Sequence, residues 1–290
     1  MSGAAWAAIS GAGFGLFQAL NARAVRNLSS VYLSTFLQLV LATLVLGTAA
    51  AVAGELADLG AVPIDAYLLF AAAGMVHFFV GWTTLNVSQS RIGAARTSPL
   101  IATTPLWGLV LGIVFAAEIP GALAALGVAL VIAGALAVAD PGSGERASFG
   151  NSAFGLATAA CWATSAVITA EALQHFDAPL LGVTLGMAAA TAGYAVALAL
   201  SGEGLRIGDD RAGLNWKLAA GLVVGLATWG RYESLDTTAI ATVLALQLLS
   251  VPVVMALAPM ISGRTVEIVN ARIAGGALLV VGGSLILLLS

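Results

Sequence analysis

The sequence of 290 residues is poor in charge. Only 9% of its residues are charged, whereas soluble domains carry roughly 25%. Hydrophobic residues make up 60% of the chain, and its mean hydropathy is +1.01. The net charge of −3, with 11 Lys and Arg, provides no basic surface for nucleic acid. This composition predicts a multi-pass integral membrane protein, for which we expect a prokaryotic cell membrane.

Residues that carry enzyme chemistry are equally scarce. The single cysteine, Cys161, cannot form an intrachain disulfide, and His77 and His175 are not spaced as metal ligands. The chain has no G-x-S-x-G motif, phosphate-binding Gly-Lys loop or paired-acid cluster. We therefore predict that the protein is not an enzyme and has no catalytic centre, cofactor or metal ion.

No acidic residue lies in the middle of an apolar segment. Proton coupling in a carrier usually needs a buried carboxylate, whose pKa is raised by desolvation. Such coupling is therefore unsupported, whereas exchange, facilitated transport or coupling through His77 stays open.

Ten apolar segments are each long enough to cross a bilayer as a helix, which takes about 20 residues. Lipid offers no partners to backbone polar groups, and the strict alternation of a barrel strand is absent. The fold is predicted to be all-α, with ten transmembrane helices. These spans, numbered 1 to 10, are 4–22, 30–53, 64–87, 94–116, 121–139, 150–171, 177–200, 214–235, 239–260 and 268–289.

One stretch of the sequence occurs twice. Trp82 to Pro105 and Trp229 to Pro252 each run 23 positions from an apolar-embedded Trp to a Pro, at an offset of 147 residues. The chain is predicted to divide into five-helix repeats at 1–139 and 151–290, joined by 140–150. Because five is odd, the second repeat enters the membrane in the opposite direction. Inverted repeats are typical of secondary transporters.

The basic residues lie almost entirely on one side of the predicted spans. The corners after even-numbered spans hold only Arg231. The positive-inside rule therefore predicts that the odd-numbered corners are cytoplasmic and that both termini are outside. Ten basic residues belong to the odd-numbered corners: Arg23, Arg26, Arg91, Arg96, Arg146, Arg206, Arg211, Lys217, Arg264 and Arg272.

Polar and aromatic side chains inside the spans are candidates for a binding cavity, because polar groups are costly in lipid. Interhelical packing is the alternative for each of them. Pro105 and Pro252 predict kinks that suit a gate. Arg231 and Glu233, near the end of span 8, are predicted to snorkel to the interface. The cavity candidates are Gln18, His77, Trp82, Thr103, Trp162, Trp229 and Gln247.

These features resemble the EamA-type branch of the drug/metabolite transporter superfamily. The resemblance rests on the five-plus-five spans and on the repeated runs from Asn86 to Pro105 and from Tyr232 to Pro252. An acidic turn at Ala117-Glu118 and a glycine-rich span 5, with Gly127 and Gly134, add to it. Gly263-Arg264 replaces that turn in the second half. The predicted outside termini are also opposite to the usual arrangement of the family.

The resemblance implies a central cavity lined by spans 1 to 4 and 6 to 9, with spans 5 and 10 peripheral. It also implies that the seven cavity candidates lie at or near that cavity. The expected function is secondary transport of a small organic metabolite, such as an amino acid or amine, by alternating access, as an exporter or exchanger. A non-transporting accessory or sensor protein is the alternative. The expected partners are a small-molecule substrate and the lipid bilayer, and a homo-oligomer is compatible with the sequence.

Overall fold

A computed structural model describes residues 1–26, 30–116, 120–139, 149–201 and 211–289. Within these ranges the chain forms helices and no strand. A 3₁₀ helix, Glu55–Ala61, precedes α3, and a π-helical segment, Met75–Gly81, joins α3 to α4. The α-helices are α1 Gly3–Val25, α2 Val31–Ala53, α3 Ile64–Gly74, α4 Trp82–Ile92, α5 Ala94–Ile101, α6 Thr104–Ala116, α7 Ala122–Ala139, α8 Phe149–His175, α9 Pro179–Ser201, α10 Arg211–Thr237, α11 Ile240–Gln247, α12 Ser250–Ser262 and α13 Ala271–Leu289.

Nine helical stretches of the described residues are long and apolar enough to cross a membrane. Three of them combine consecutive elements, namely α3 with α4, α5 with α6, and α11 with α12. The helix α10 is outside this set; it carries Lys217, Arg231 and Glu233 within its length. The prediction of an all-helical, multi-pass membrane protein is confirmed, whereas the count of ten transmembrane helices in an inverted repeat stays a prediction.

Two membrane-length stretches are interrupted shortly before the repeated prolines. One break separates α5 from α6, and the other separates α11 from α12. In each break the chain makes a tight turn, with Thr103 N–H donating to the Leu100 carbonyl and Leu248 N–H donating to the Ala245 carbonyl, both at 3.2 Å. Pro105 lies in the first turn of α6. Backbone N–H groups in a first turn have no acceptor within the helix, so the N–H that proline lacks costs no hydrogen bond there. Pro252 occupies the first turn of α12 in the same way.

The helix bundle has two ends, which are identified by contacts among the segments that connect the helices. At one end, called the odd end, Arg26 after α1 and Glu267 after α12 meet the start of α5 at Ala94. At the opposite end, called the even end, the carboxylate of Glu55 accepts a hydrogen bond from Leu181 N–H in α9. The odd-numbered corners described here therefore gather at one end and the even-numbered corners at the other.

Helix α1 lies inside the bundle and contacts α4 and α5 of the first half and α10, α11 and α12 of the second. Helices α7 and α13 pack mainly on each other. Their backbones approach so closely that a Cβ on Gly134 would lie 2.6 Å from the Gly276 carbonyl oxygen. This arrangement agrees with the peripheral placement expected for spans 5 and 10. Residues 140–148 of the predicted linker, the turn at Ala117-Glu118, Arg146 and Arg206 lie outside the described residues.

Candidate functional site

A buried guanidinium is the centre of the candidate site. Arg231 of α10 is 2% exposed, and its Nη1 lies 2.7 Å from Nδ1 of His77. Its Nη2 donates to the Trp162 carbonyl oxygen at 2.9 Å. The Ser165 hydroxyl lies 2.8 Å from the same His77 nitrogen. In the described parts of the chain, no carboxylate forms an ion pair with Arg231.

The contact with Arg231 assigns the tautomer of His77. A guanidinium can only donate hydrogen bonds, so the Nδ1 of His77 must be the acceptor and the ring proton belongs to Nε2. That Nε2 is buried and has no partner among the described residues. The imidazole stacks on the indole of Trp162, with ring centroids 5.0 Å apart and an interplanar angle of 8°. His77 also lies in the π-helical segment, a type of distortion often found at functional sites.

The surroundings contain more hydrogen-bond donors than acceptors. The Nε of Arg231 and the indole Nε1 of Trp162 are buried without partners among the described residues, as is the Nε1 of Trp82. A cavity of about 20 Å³, enough for about one water molecule, lies beside Trp162 and is lined also by Phe14, Thr104 and Gln247. Because Ala102 and Leu248 also line it, this cavity touches both helix breaks.

An aromatic layer lies next to this cluster. Trp82 is 1% exposed, and its ring lies 5.4 Å from Phe17 and 5.1 Å from Phe78. Phe14 contacts Trp162 at a centroid distance of 5.3 Å. These rings come from α1, α4, α8 and the π-helical segment. They fill the middle of the bundle between the Arg231 cluster and the odd end.

A second buried cation belongs to a polar network nearer the odd end. Lys217 of α10 is completely buried, and its Nζ donates to Asn21 Oδ1 at 2.6 Å and to Asn86 Oδ1 at 3.3 Å. Asn21 Nδ2 donates in turn to Asn86 Oδ1 and Gln89 Oε1, both at 2.7 Å. Asn86 Nδ2 reaches the Thr35 hydroxyl. This network ties α1, α2 and α4 of the first half to α10 of the second.

The odd end is closed by a buried carboxylate. Glu267, 2% exposed, accepts hydrogen bonds from the N–H groups of Ala94 and Ala95 at 3.1 and 2.9 Å. These are unpaired donors at the start of α5, a position where a carboxylate is favourable. Glu267 also forms an ion pair with Arg26 at 3.0 Å. A residue from the second half therefore holds two helices of the first half together.

The even end contains larger open cavities. One, of about 360 Å³, is lined by Leu173 and Asp177 on one side and by Leu235 and Asp236 on the other. Leu235 lies one helical turn from Arg231 on the same face of α10. A second cavity, of about 670 Å³, includes Pro105 and extends to the corner at Pro120. The cavity of about 360 Å³ therefore lies about one helical turn from Arg231, at the even end.

The structure brings several of the predicted cavity residues together. His77 and Trp162 are in direct contact, Trp82 lies in the adjoining aromatic layer, and Gln247 lines the small central cavity. Gln18 is completely buried in α1, and neither polar atom of its side chain has a partner among the described residues. The roles of these residues stay predictions.

The other predicted residues lie elsewhere. The hydroxyl of Thr103 donates to the Leu100 carbonyl, so it stabilises the break rather than presenting a free group. Trp229 is half-buried; it packs against Trp6 at 5.5 Å and donates to Glu233 at 2.7 Å. Pro105 lines the larger even-end cavity, whereas Pro252 is exposed on the bundle surface.

Two basic residues were wrongly interpreted from the sequence. Arg231 does not snorkel to the interface, because its side chain points into the bundle toward His77. Lys217 is not a corner residue, because it is buried inside α10. The sequence signal for both was their position within an apolar segment. Removing them from the corner count leaves nine basic residues at odd-numbered corners and none at even-numbered corners, so the predicted orientation is unchanged.

Comparisons with known proteins agree with this architecture. Residues 1–139 match the model of the EamA-like transporter family. The fold is similar to that of a protein solved by crystallography, with a TM-score of 0.64 and 16% sequence identity. The superposition covers 97% of this chain and 95% of the other chain. At that identity the likeness shows the fold alone. No curated protein matches the chain. The resemblance is therefore confirmed over residues 1–139, which match an EamA-type domain of the drug/metabolite transporter superfamily.

Proposed function

We propose that the protein is a secondary transporter that moves a small organic metabolite by alternating access, as an exporter or exchanger. The proposal rests on a difference between the two ends within the described residues. Glu267 ties the halves together at the odd end, whereas cavities of about 360 and 670 Å³ open toward the even end. Alternating access requires a second arrangement in which this closure breaks and the even end closes.

The two-repeat organisation supports this proposal. We propose that 1–139 and 151–290 are inversely oriented repeats joined by 140–150. The breaks before Pro105 and Pro252 are their corresponding features, and discontinuous helices at the repeat interface are typical of substrate sites in secondary transporters. Both breaks meet at the small central cavity beside Trp162.

Counterflow in proteoliposomes tests the transport proposal. Vesicles preloaded with a panel of amino acids, amines, organic acids and sugars are mixed with trace labelled compound, and transient accumulation is expected for at least one class. Protein-free vesicles provide the control. Ligand-induced thermal stabilisation without flux of any stabilising compound would contradict transport and favour a sensor or accessory protein.

Labelling of single cysteines tests the orientation. In a C161S background, Ser2→Cys reports the even end and Arg264→Cys, which is exposed in the structure, reports the odd end. An impermeant thiol reagent added to intact cells is expected to label only the Ser2 position. Labelling only at position 264 would reverse the orientation and hence the proposed direction of export.

A further inference from the structure

We propose that Arg231, with the Nε2 proton of His77, binds an oxyanion of the transported molecule, namely a carboxylate or phosphate group. This inference rests on the proposed transport function and narrows its substrate class. It concerns the cluster in which Arg231, His77, Ser165 and Trp162 are all at most 6% exposed.

The charge of the cluster is uncompensated. The Arg231 guanidinium is permanently protonated at physiological pH, and its described partners are a neutral imidazole nitrogen, a carbonyl oxygen and a hydroxyl. Buried charges in proteins are normally paired with an opposite charge. Among the residues that the structure describes, the acids form their ion pairs with Arg26 and His175 instead. A bound anion would supply the missing charge.

The free groups of the cluster are donors. Because Arg231 occupies Nδ1 of His77, the unpartnered Nε2 of that ring must present a proton. The Nε of Arg231 and the Nε1 of Trp162 are likewise buried donors without partners in the described ranges. Oxyanions accept several such bonds, whereas an ammonium group would need acceptors that the cluster does not offer. The cluster therefore selects an anionic head group over an amine.

The cluster lies between the even-end cavity and a second buried basic residue nearer the odd end. Leu235, one turn from Arg231 on α10, lines the open even-end cavity of about 360 Å³. Lys217 is 14 residues from Arg231, about four turns or 21 Å along nearly the same face of the helix. It too lacks an acidic partner in the described parts of the molecule. Two buried basic side chains on one helix favour anions over cations in this part of the bundle.

The inference is tested by ligand-dependent thermal unfolding of the purified full-length protein. The probes are matched pairs that differ in charge: succinate and succinamide, and glycerol 3-phosphate and glycerol, with putrescine as the cationic probe. At millimolar concentrations, at least one anion is expected to stabilise the protein while its neutral partner does not. The pair that responds distinguishes a carboxylate from a phosphate.

Variants of the cluster establish where the anion binds. Arg231→Gln is expected to weaken anion binding by roughly 10- to 100-fold, as loss of hydrogen bonds to a charged group implies. Arg231→Lys should retain part of the affinity. If Arg231→Gln does not fold, His77→Gln provides the second test, with several-fold weaker binding and unchanged preference for anions. The matched control is Arg91→Gln, which removes an exposed guanidinium at the odd end and should leave binding unchanged.

The outcomes separate this inference from the transport proposal. Absence of stabilisation by any anion, or anion affinity within about twofold of wild type in Arg231→Gln, would overturn the inference. Counterflow of a neutral or cationic compound that is insensitive to Arg231→Gln would also overturn it, while transport would stand. Binding of an anion that depends on Arg231, without counterflow, would support the binding site and contradict transport.

Discussion

The two ends of the bundle differ in closure and in charge. At the odd end, Glu267 binds Arg26 and the start of α5, and the Lys217 network lies behind it. At the even end, open cavities are bordered by acids such as Asp177 and Asp236. Of the nine basic residues that the sequence assigns to odd-numbered corners, seven lie within the described ranges, and no Lys or Arg is assigned to an even-numbered corner. The described residues therefore combine a basic end held together by Glu267 with an acidic end that contains open cavities.

This difference suits the movement of an anion in one direction. A basic end attracts an anion from the solution, and an acidic end disfavours its return. Between the ends, Lys217 and Arg231 offer two positive positions along α10. If the odd end is cytoplasmic, as the charge bias predicts, the basic residues lie at the cytoplasmic end and the acidic residues at the outer end.

The largest effect is expected from Glu267→Ala, which removes the closure of the odd end. A cysteine at Ala22, which is completely buried where α1 meets α5 and α12, reports opening in a C161S background. Hydrogen bonds to charged groups contribute about 1.5–3 kcal/mol each. Because Arg26 is 23% exposed, we leave out its ion pair, and we take one of the two backbone hydrogen bonds to Glu267 as the minimum effect. The rate of thiol labelling should rise by roughly 10- to 100-fold.

The matched control for this prediction is Glu171→Ala. Glu171 is an exposed acid near the even end that pairs with His175, so its removal should leave labelling at position 22 unchanged. Equal labelling rates in wild type and Glu267→Ala would show that this carboxylate does not hold the end closed. Folded yield, measured by size-exclusion chromatography, separates opening from unfolding.

A difference between Trp162 and Trp229 is the next prediction. Trp162 stacks on His77 inside the candidate site, whereas Trp229 is half-buried against Trp6. Trp162→Ala should lower counterflow by about tenfold or more, because it removes the ring that supports the imidazole; Trp229→Ala should lower it by roughly two- to threefold. Removal of a buried Trp also costs about 3–5 kcal/mol.

The stability cost makes Trp162→Phe a necessary companion variant. It keeps an aromatic ring beside His77 but removes the indole N–H and part of the ring volume, so it should fold with a smaller loss of stability than Trp162→Ala and recover part of the flux. Flux is compared with folded yield in each variant. Parallel loss of both quantities in Trp162→Phe would mark this residue as a packing residue.

The fold could be predicted largely because lipid restricts the options. Long apolar segments must be helices, and the recurrence of Pro105 at Pro252 located the two interrupted stretches. The sequence indicated kinks there, but not complete breaks. Whether a proline bends a helix or starts a new one depends on contacts across the bundle, such as the bond from Ser284 to the Ala102 carbonyl at 2.8 Å.

The candidate site could be predicted only in part. His77 and Trp162 were found because polar and aromatic groups inside spans are unusual, but their contact depends on how α8 meets the π-helical segment. Arg231 was misplaced, because hydropathy cannot distinguish a side chain that faces lipid from one that faces a neighbouring helix. Glu267 carried no signal, since its partners at Ala94 and Ala95 are over 170 residues away in the chain.

The two helix breaks provide a smaller test. Pro252 begins a half-helix beside the central cavity and is itself exposed, whereas Pro105 lines the larger even-end cavity. Substitution by Ala restores an N–H and lets a helix continue through the break. We expect Pro105→Ala to slow counterflow by about three- to tenfold and Pro252→Ala to slow it less. Ala substitution at the exposed Pro63, which lines none of the cavities described above, is the control, and an unchanged rate in Pro105→Ala would argue against a gating role.

The smallest effect is expected at the even end, from Glu55→Gln. Burial raises the pKa of the Glu55 carboxyl, while its bond from Leu181 N–H acts in the opposite direction. A raised pKa means that folding favours the protonated form, so this stabilisation is present at low pH and is lost as the pH rises through that pKa.

Gln at position 55 keeps an acceptor for Leu181 and carries no charge. Thermal unfolding in detergent should therefore show Glu55→Gln slightly more stable than wild type at pH 7, and this difference should shrink as the pH falls toward 4. Asp58→Asn, which removes a nearby negative charge that also raises this pKa, should change the stability in the same direction but by less. A variant less stable than wild type at pH 7 would show that the charged carboxylate is needed to hold the start of α9, and that the even end, too, has an electrostatic closure.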